Sequence, residues 1–391
     1  MDKIEFYKKY CTGCGLCKSV RNIDFESKNG FDWPILQQND LDFCDNYCPV
    51  NGKYNSELSG EIFGSYKSIY HGWSTNKKIR YKASSGGMIT EICDFLLDTK
   101  KVDYIIQIGT NPNIPYKTKI CIADSVQSVF ECAGSRYAES HTLENITEII
   151  NVEKKYAFVG KPCDIQALKM YMDDHIQLKK SILYTISFFC AGQPSELAQL
   201  KLLKELGCKN TEEILKLTYR GNGWPGYATL TTKSGDIKSM SYNDSWGNIL
   251  GRDIRYSCRF CLDGIGELSD IACGDSWYLD DTNKPDFKEN SGRNIVFART
   301  YKGEKLLKEM SACNRVVLQE LNSIDQLYYS QSYQVIRRAT MKASLLALKL
   351  LGRPIPDYDK KLLKIYSKNV GKDIKIKRFF GVFLRGMKGK L

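Results

Sequence analysis

The sequence predicts a mixed α/β protein, with a small cysteine-rich segment before the main domain and a basic helical tail after it. Residues 1–58 are dense in Cys, Asn, Asp and Gly, and their short apolar pieces could pair only as small strands. From about residue 65, apolar runs alternate with amphipathic patterns, which is typical of a mainly parallel or mixed sheet covered by helices. Beyond about residue 300 the pattern is helical to the end.

The net charge of +12 belongs to the tail, residues 337–391, which contains 16 Lys and Arg against three Asp. The preceding residues are therefore close to neutral. Nucleic-acid binding is not expected, because no aromatic and glycine-rich recognition motif accompanies the charge. No apolar run is long enough to cross a bilayer, and the first residues lack a signal-peptide pattern. We therefore expect a cytoplasmic protein.

The cysteine content indicates metal or redox chemistry. The chain has 15 Cys but only three His, so sulfur is the expected ligand. Because cytosolic reductants keep thiols reduced, these cysteines are not interpreted as a disulfide framework. A segment as short as residues 1–58 is rarely stable by burial alone, and a metal site is a usual remedy.

Individual elements of the main domain follow from local patterns. A serine of the turn Ser84-Ser85-Gly86-Gly87 is expected to cap a helix that begins near Gly87, and further helices are predicted to begin at Pro162 and after Ser195. Strands are predicted over 102–109, 119–123, 156–160, 182–190 and 294–299, with a hairpin formed by 227–232 and 237–242.

The spacing Cys11-x2-Cys14-x2-Cys17 is the strongest local motif. It matches the start of a bacterial ferredoxin run, in which three cysteines hold one 4Fe-4S cluster and a distant Cys-Pro completes it. Cys48-Pro49 supplies that fourth ligand, whereas the position that would serve a second ferredoxin cluster is Arg21. Cys44 is then left over, unless it replaces one of the four. Zinc is the alternative metal for such a site.

A second set of cysteines is dispersed along the chain. Cys258-x2-Cys261 has the spacing of a chelating hook, while Cys163 and Cys190 each follow a predicted strand. Cys273 lies nearby in sequence. The residues alone leave two interpretations open: a second metal site, or cysteines that serve as small buried apolar residues.

The order of these motifs resembles the family of β subunits found in coenzyme F420-reducing hydrogenases and F420-linked formate dehydrogenases. The resemblance covers about residues 5–300 and rests on the motifs within Cys11–Pro49, Ala83–Gly87, Gly134–Tyr137, Phe158–Cys163, Phe189–Gly192, Tyr219–Trp224 and Cys258–Trp277. Members of that family are iron–sulfur flavoproteins. The resemblance therefore implies FAD in the main domain and a 4Fe-4S cluster close to the flavin.

The resemblance also implies roles for individual residues. The cofactor-binding candidates are Ser84, Ser85, Gly86, Gly87, Ser135, Arg136, Gly160 and Lys161. The ligands of the flavin-side cluster would be Cys163, Cys190, Cys258 and Cys261. A glycine-rich helix start can offer N–H groups to phosphate, although an ordinary capped helix explains the same turn. Asp275 is the candidate catalytic residue, with a simple turn residue as the alternative.

We therefore expect a chain divided into residues 1–58 (ferredoxin-like), 65–190 (flavin-binding), 191–335 (second cluster) and 337–391 (tail). Its expected function is an FAD and 4Fe-4S oxidoreductase, which couples hydride chemistry on a small organic substrate, deazaflavin-like or other, to electron transfer with a ferredoxin-like partner. The alternatives are a noncatalytic electron-transfer subunit of a larger redox complex and a zinc-stabilised binding protein. Bacterial relatives often occur in surface-polysaccharide gene sets, so a redox step on a glycan precursor is also considered.

The tail carries two stretches in which apolar and basic residues alternate. Near the end of the chain, one helical face is expected to contain Ile376, Phe380, Phe383, Leu384 and Met387 among lysines and arginines. Such a helix either lies on an anionic membrane surface or packs its apolar face on the body of the protein. A peripheral location at the inner face of the membrane is therefore considered for residues 337–391.

Overall fold

The computed structural model describes residues 2–52, 58–321 and 323–391, which form one large sheet with surrounding helices and two small sheets. The strands are β1 (Phe25–Lys28), β2 (Phe31–Pro34), β3 (Ser68–Ser74), β4 (Tyr104–Thr110), β5 (Thr118–Ala123), β6 (Tyr156–Gly160), β7 (Ile182–Phe188), β8 (Ile214–Thr218), β9 (Tyr227–Thr232), β10 (Ile237–Ser241), β11 (Ile271–Asp275), β12 (Asn294–Ala298) and β13 (Val316–Glu320).

Helices account for much of the remaining chain. The α-helices are α1 (Lys3–Tyr10), α2 (Leu16–Arg21), α3 (Leu41–Tyr47), α4 (Lys77–Lys82), α5 (Met88–Asp98), α6 (Val126–Glu131), α7 (Ile146–Ile149), α8 (Pro162–Asp174), α9 (Ile176–Ser181), α10 (Glu196–Glu205), α11 (Tyr256–Arg259), α12 (Tyr301–Ala312), α13 (Asp325–Ser330), α14 (Ser332–Ala339), α15 (Met341–Leu350), α16 (Lys360–Tyr366) and α17 (Lys372–Met387). A π-helix covers Asn243–Ile249, and short 3-10 turns cover Gln38–Asp40, Thr211–Glu213, Leu250–Arg252 and Ser367–Asn369.

The large sheet has a parallel centre and antiparallel edges. Its strand order is β13-β3-β12-β11-β7-β6-β4-β5. The neighbours β4, β6, β7 and β11 run parallel, whereas β5, β12, β3 and β13 join by antiparallel pairing. Every residue of β6 and β12 is buried, as expected for strands covered on both faces. The mixed sheet predicted from the sequence is confirmed.

The two predicted parts of the main domain, residues 65–190 and 191–335, share this sheet. Strands β11 and β12 come from the second part, yet they lie between β7 and β3 of the first part. Residue 190 therefore does not separate two cores. Residue 1 and residues 53–57 of the predicted ferredoxin-like segment, and residue 322 of the second part, lie outside the described residues.

Most predicted elements are present, and two expectations need correction. The region beyond residue 300 is not wholly helical, because β13 pairs with β3 and forms one edge of the large sheet. Helix α5 does begin after Gly87, but Gly87 itself is the N-cap, with a φ of 80°. Ser84 and Ser85 do not cap the helix, since they bond to residues elsewhere in the chain.

The basic tail is packed on the body of the protein. One apolar cluster joins Tyr10 of α1 to Leu348 of α15 and Tyr366 of α16. Arg338 of α14 is fully buried and forms an ion pair with Glu267 at 2.7 Å. Helix α14 also runs across the predicted boundary at residue 337, so the tail is continuous with the structure before it. Within the described ranges, none of the helices is long and apolar enough to span a bilayer.

Candidate metal centres and cofactor site

The first group of cysteines lies where three short helices begin and end. Cys11 follows α1, Cys17 lies in α2, and Cys48 follows α3. Between Cys11 and Cys17 the backbone turns sharply, with positive φ values of 68° at Gly13 and 85° at Gly15. The turn lets the N–H of Gly13 donate to the sulfur of Cys11 at 3.3 Å. The local motif therefore folds as a tight loop in which a backbone amide donates to a cysteine sulfur.

Burial raises the pKa values of four thiols of this first group, Cys14, Cys17, Cys44 and Cys48. Burial raises the pKa of Cys14 to about 12, with a further contribution from Cys11. Cys17 and Cys48 have pKa values well above the usual range, first because of burial and then because of neighbouring thiols. Burial also raises the pKa of Cys44 to about 12, and its next largest cause is Cys11. Cys44 thus lies with Cys11, Cys14, Cys17 and Cys48, which makes five sulfurs for four ligand positions.

The second group forms at the carboxyl edge of the sheet. Cys163 lies in the first turn of α8, directly after β6, and Cys190 follows the parallel neighbour β7. Cys258 belongs to α11, and Cys261 comes just after that helix. All four line one cavity. The structure therefore brings together the four cysteines that sequence resemblance assigned to the flavin-side cluster.

Electrostatic effects within the second group agree with this proximity. Burial raises the pKa of Cys190 to about 11, and Cys258 is the next cause. Burial also raises the pKa of Cys261 to about 12 and holds that of Cys163 well above its usual range. Cys273 does not join this group, because it lies in the apolar core behind the sheet. Thiols with pKa values this high ionise when a positively charged centre compensates them, as a metal ion or the iron–sulfide core of a cluster does.

Arg255 lies between the two groups. This fully buried side chain donates to the carbonyl oxygens of Asp32 at 3.0 Å and Cys11 at 3.5 Å, and it forms a close ion pair with Glu139. Burial lowers the pKa of Arg255, while the charges of Cys11 and Cys258, one from each group, raise it. The buried guanidinium of Arg255 therefore interacts electrostatically with cysteines of both groups.

Arg337 is a site residue that the sequence analysis missed. It lines the cavity of the second group, and its Nη2 donates to the carbonyl oxygen of Cys190 at 3.0 Å. Gly264 makes room for it, because a Cβ at that position would overlap the guanidinium. Its Nε is buried and has no hydrogen-bond partner within the described part of the chain. An anionic cluster held by the second group would supply the missing acceptor.

Six of the predicted cofactor-binding residues come together at the start of α5. The backbone N–H of Ser135 donates to Ser84 Oγ at 2.5 Å, and Ser85 Oγ donates to the carbonyl oxygen of Arg293 at 2.7 Å. Gly86 packs so closely on the neighbouring strands that a Cβ would lie 2.5 Å from the carbonyl oxygen of Gly72. The turn is therefore held rigidly against the segment Gly134–Arg136.

Arg136 gives this place a partly buried positive charge. Its Nη1 donates to the carbonyl oxygens of Gly134 and Ser135, each at 3.2 Å, and burial lowers its pKa. Its Nε is buried without a hydrogen-bond partner in the described ranges. A helix N-terminus and a partly buried guanidinium with a free N–H together suit a phosphate group.

The other two predicted cofactor-binding residues, Gly160 and Lys161, lie at the second cysteine group. The Nζ of Lys161 donates to Ser140 at 2.7 and 2.8 Å and forms an ion pair with Asp164 at 3.0 Å. Lys161 also lines the same cavity as Cys163. Its buried ammonium group therefore faces the second cysteine group.

Asp275, the candidate catalytic residue, is held by three donors. Its carboxylate accepts from Arg220 at 2.8 and 3.0 Å and from Trp224 Nε1 at 3.0 Å. Arg220 lies against the rings of Tyr242 and Trp277, at 4.6 and 5.3 Å from their centroids. This arrangement favours a structural role for Asp275, and its part in catalysis stays a prediction.

Comparison with known proteins identifies chains that are similar to this one. Residues 69–147 match the N-terminal model, and residues 153–324 the C-terminal model, of the coenzyme F420 hydrogenase/dehydrogenase beta subunit. The beta subunit of coenzyme F420 hydrogenase from Methanococcus voltae is 23% identical over 75% of this chain and 99% of its own length. The beta subunit of F420-dependent formate dehydrogenase 1 from Methanococcus maripaludis is 26% identical, over 62% and 58% of the two chains.

A solved structure supports the fold. A chain of the F420-reducing NiFe hydrogenase complex from Methanosarcina barkeri has 19% identity and a TM-score of 0.58, covering 76% of this chain and 98% of that one.

The relatives are subunits of oxidoreductases, which favours the electron-transfer-subunit alternative over an enzyme that works alone. Their descriptions name neither FAD nor a glycan, so both stay predictions. The chain belongs to the family of coenzyme F420 hydrogenase/dehydrogenase beta subunits.

Proposed function

We propose that this chain is the electron-transfer subunit of an oxidoreductase and that it binds two 4Fe-4S clusters. The first would be held by Cys11, Cys14, Cys17 and Cys48, and the second by Cys163, Cys190, Cys258 and Cys261. The observation that carries the proposal is the convergence of four cysteines from separate parts of the fold on one cavity. Packing alone does not require such a convergence.

The ferredoxin-type spacing of the first donor set favours an iron–sulfur cluster over zinc. The ring nitrogens of the three histidines bond to Ser276, to Asp32 and to the carbonyl oxygen of Tyr171. Against the larger effect of burial, backbone hydrogen bonds from Leu16 and Lys18 lower the pKa values of Cys14 and Cys17. Amides that donate to sulfur are a common means by which proteins tune iron–sulfur clusters.

We propose that the two sites act in series, and contacts between the segments that carry them support this. The cavity of the second group is also lined by Tyr10, Thr12 and Pro49, which belong to the segment that carries the first group. Ser257, next to Cys258, donates to the carbonyl oxygen of Cys11 at 2.9 Å. We propose that the second site is the inner one and that the first is the port to a ferredoxin-like protein or a partner redox subunit.

We propose FAD as the organic cofactor, with its phosphates at the start of α5. The rigid turn Ser84–Gly87 would hold the phosphates, and Arg136 would balance their charge through its free Nε. When bound, FAD supplies two-electron hydride chemistry and the clusters supply one-electron transfer. The substrate we propose is a small organic hydride donor or acceptor, of which deazaflavins are one class. Apolar packing around the second site would exclude water from the redox centres.

An absorption spectrum of anaerobically purified protein tests both parts of the proposal. Broad absorption at roughly 400 nm that bleaches with dithionite is expected for the clusters, and acid treatment should release a fluorescent flavin. Arg136→Gln should lower the flavin content, while Arg252→Gln, which changes an exposed arginine that bonds to the carbonyl oxygen of Gly247, should not. A bleachable protein without flavin would overturn the FAD assignment alone. A colourless protein that contains zinc would overturn the redox function.

A further inference from the structure

The last helix, α17, presents an apolar stripe to solvent. Ile376, Phe380, Leu384 and Met387 are 57%, 53%, 52% and 66% exposed. Their spacings of four, four and three residues place them on one side of the helix. Single exposed apolar residues are common on protein surfaces, but four in a row along one helix form a continuous apolar surface.

This stripe is not the face by which α17 packs on the protein. The packed side contains the buried residues Val382 and Gly386, and Phe379 and Phe383 contact the core next to them. The predicted apolar face is corrected accordingly, because Phe383 belongs to the packed side. The helix thus has two apolar faces, one turned inward and one outward.

Polar contacts fix this orientation. Arg378 donates to Ser344 Oγ of α15 at 3.1 Å, and Arg353 donates to the carbonyl oxygen of Gly386 at 2.6 Å. These bonds attach both halves of α17 to the rest of the tail. The helix cannot turn its outer stripe inward without breaking them.

Positive charge surrounds the stripe. The exposed basic residues of the last 20 positions are Lys372, Lys377, Arg385, Lys388 and Lys390, whereas Asp373 is the only acidic residue there. The same combination occurs on the outer face of α15, where Leu346 and Leu350 are 52% and 64% exposed and alternate with Lys342 and Lys349. Both helices therefore offer apolar side chains within a basic border.

We infer that α17 lies in the interface of an anionic lipid bilayer, with the apolar stripe at the acyl boundary and the lysines among the phosphates. A helix of this kind gains free energy both from apolar burial and from attraction to negative lipids. The basic border of the stripe is complementary to negatively charged groups, and the stripe itself to an apolar phase. An anionic bilayer offers both, because its negative headgroups cover an apolar interior. The helix is 16 residues long and strongly charged, so it would lie on the bilayer and not cross it.

The packing of the tail gives this contact a consequence for the rest of the protein. Helix α14, part of the same packed tail, places Arg337 against Cys190 and Arg338 against Glu267. Binding of α17 to a membrane would therefore fix the position of the second cysteine group relative to the bilayer. The inference does not depend on the proposed redox function, since binding to lipid needs no cofactor.

Sedimentation of the full chain with lipid vesicles tests the inference. We expect the protein to sediment with vesicles that contain phosphatidylglycerol, to remain in solution with pure phosphatidylcholine, and to be released by high salt. The double variant Phe380→Ser, Leu384→Ser should reduce the bound fraction by at least about fivefold, because both the stripe and its insertion are lost. The double variant Lys377→Gln, Lys388→Gln should weaken binding to the anionic vesicles in particular.

Two further measurements keep the result unambiguous. The double variant Leu215→Ser, Ile237→Ser changes residues that are 59% and 65% exposed on the small β8-β9-β10 sheet, and it should bind vesicles like the unchanged protein. Circular dichroism should show that all variants are folded. Equal sedimentation of the stripe variant and the unchanged protein would overturn the inference. So would a dimer, seen by light scattering, that the stripe variant converts to a monomer, because a second copy would then cover the stripe.

Discussion

Replacing Arg337 by Gln should lower the reduction potential of the second cluster. Arg337 is 4% exposed, and its hydrogen-bond acceptors are the neutral oxygens of Cys190 and Gln334. Among the described residues, no carboxylate accepts a hydrogen bond from Arg337, so its positive charge is not cancelled by such a partner. Since reduction adds an electron to the cluster, a nearby positive charge stabilises the reduced form and raises the potential.

The size of the effect follows from Coulomb's law. A unit charge about 6 Å from a cluster, at an effective dielectric constant of about 20, contributes about 3 kcal/mol. For a one-electron couple this energy corresponds to about 120 mV. Burial of the guanidinium limits screening by salt, so the shift should persist at physiological ionic strength.

A redox titration followed by electron paramagnetic resonance measures this potential directly. Arg337→Lys keeps the positive charge, so the reduction potential of its second cluster should stay close to that of the unchanged protein. Lys349→Gln removes an exposed charge of the neighbouring helix α15 and should leave the potential unchanged. The reasoning is refuted if Arg337→Gln retains its iron and shows the potential of the unchanged protein.

Three other predictions concern stability. Arg220→Gln leaves Asp275 with fewer partners in a largely buried site, and Arg338→Leu leaves the buried carboxylate of Glu267 without its ion pair at 2.7 Å. Each should lower the free energy of unfolding by about 3 kcal/mol or more, measured by urea denaturation, and a loss below about 1 kcal/mol would speak against it. Burial lowers the pKa of His71 to about 4. Because the unfolded chain binds this proton below about pH 6.5, stability should fall between about pH 6.5 and 4. His71→Gln should make the free energy of unfolding less dependent on pH in this range. An unchanged pH dependence would contradict the lowered pKa of His71.

Local sequence patterns were sufficient for much of the fold and for the first cysteine group. The spacing from Cys11 to Cys17 determines a tight loop, whose glycines adopt the positive φ angles that such a loop needs. The apolar run Tyr156–Gly160 was recognisable as a strand, and the structure buries every residue of it. Strand β13 was missed because Val316–Glu320 is short and lies between helical stretches, so only its pairing with β3 shows what it is.

Long-range contacts explain what the sequence could not show. Cys163 and Cys190 meet because β6 and β7 are parallel neighbours, and the sequence suggested this only through resemblance to a family. Cys44 looked like the remnant of a lost site, yet folding places it with Cys11. No local sequence motif indicated that Arg337 lies at the second cysteine group. Its place beside the second group depends on the packing of the tail and on the space left by Gly264.

Iron content measured for matched cysteine variants tests the central claim most directly. Two 4Fe-4S clusters require about eight iron atoms per chain. Cys11→Ser and Cys258→Ser should each lose about four of them while the other cluster's signal in electron paramagnetic resonance remains. Cys313→Ser changes an exposed cysteine outside both groups and should lose none. The account is contradicted if Cys258→Ser keeps the full iron content, or if the unchanged protein contains zinc and no iron.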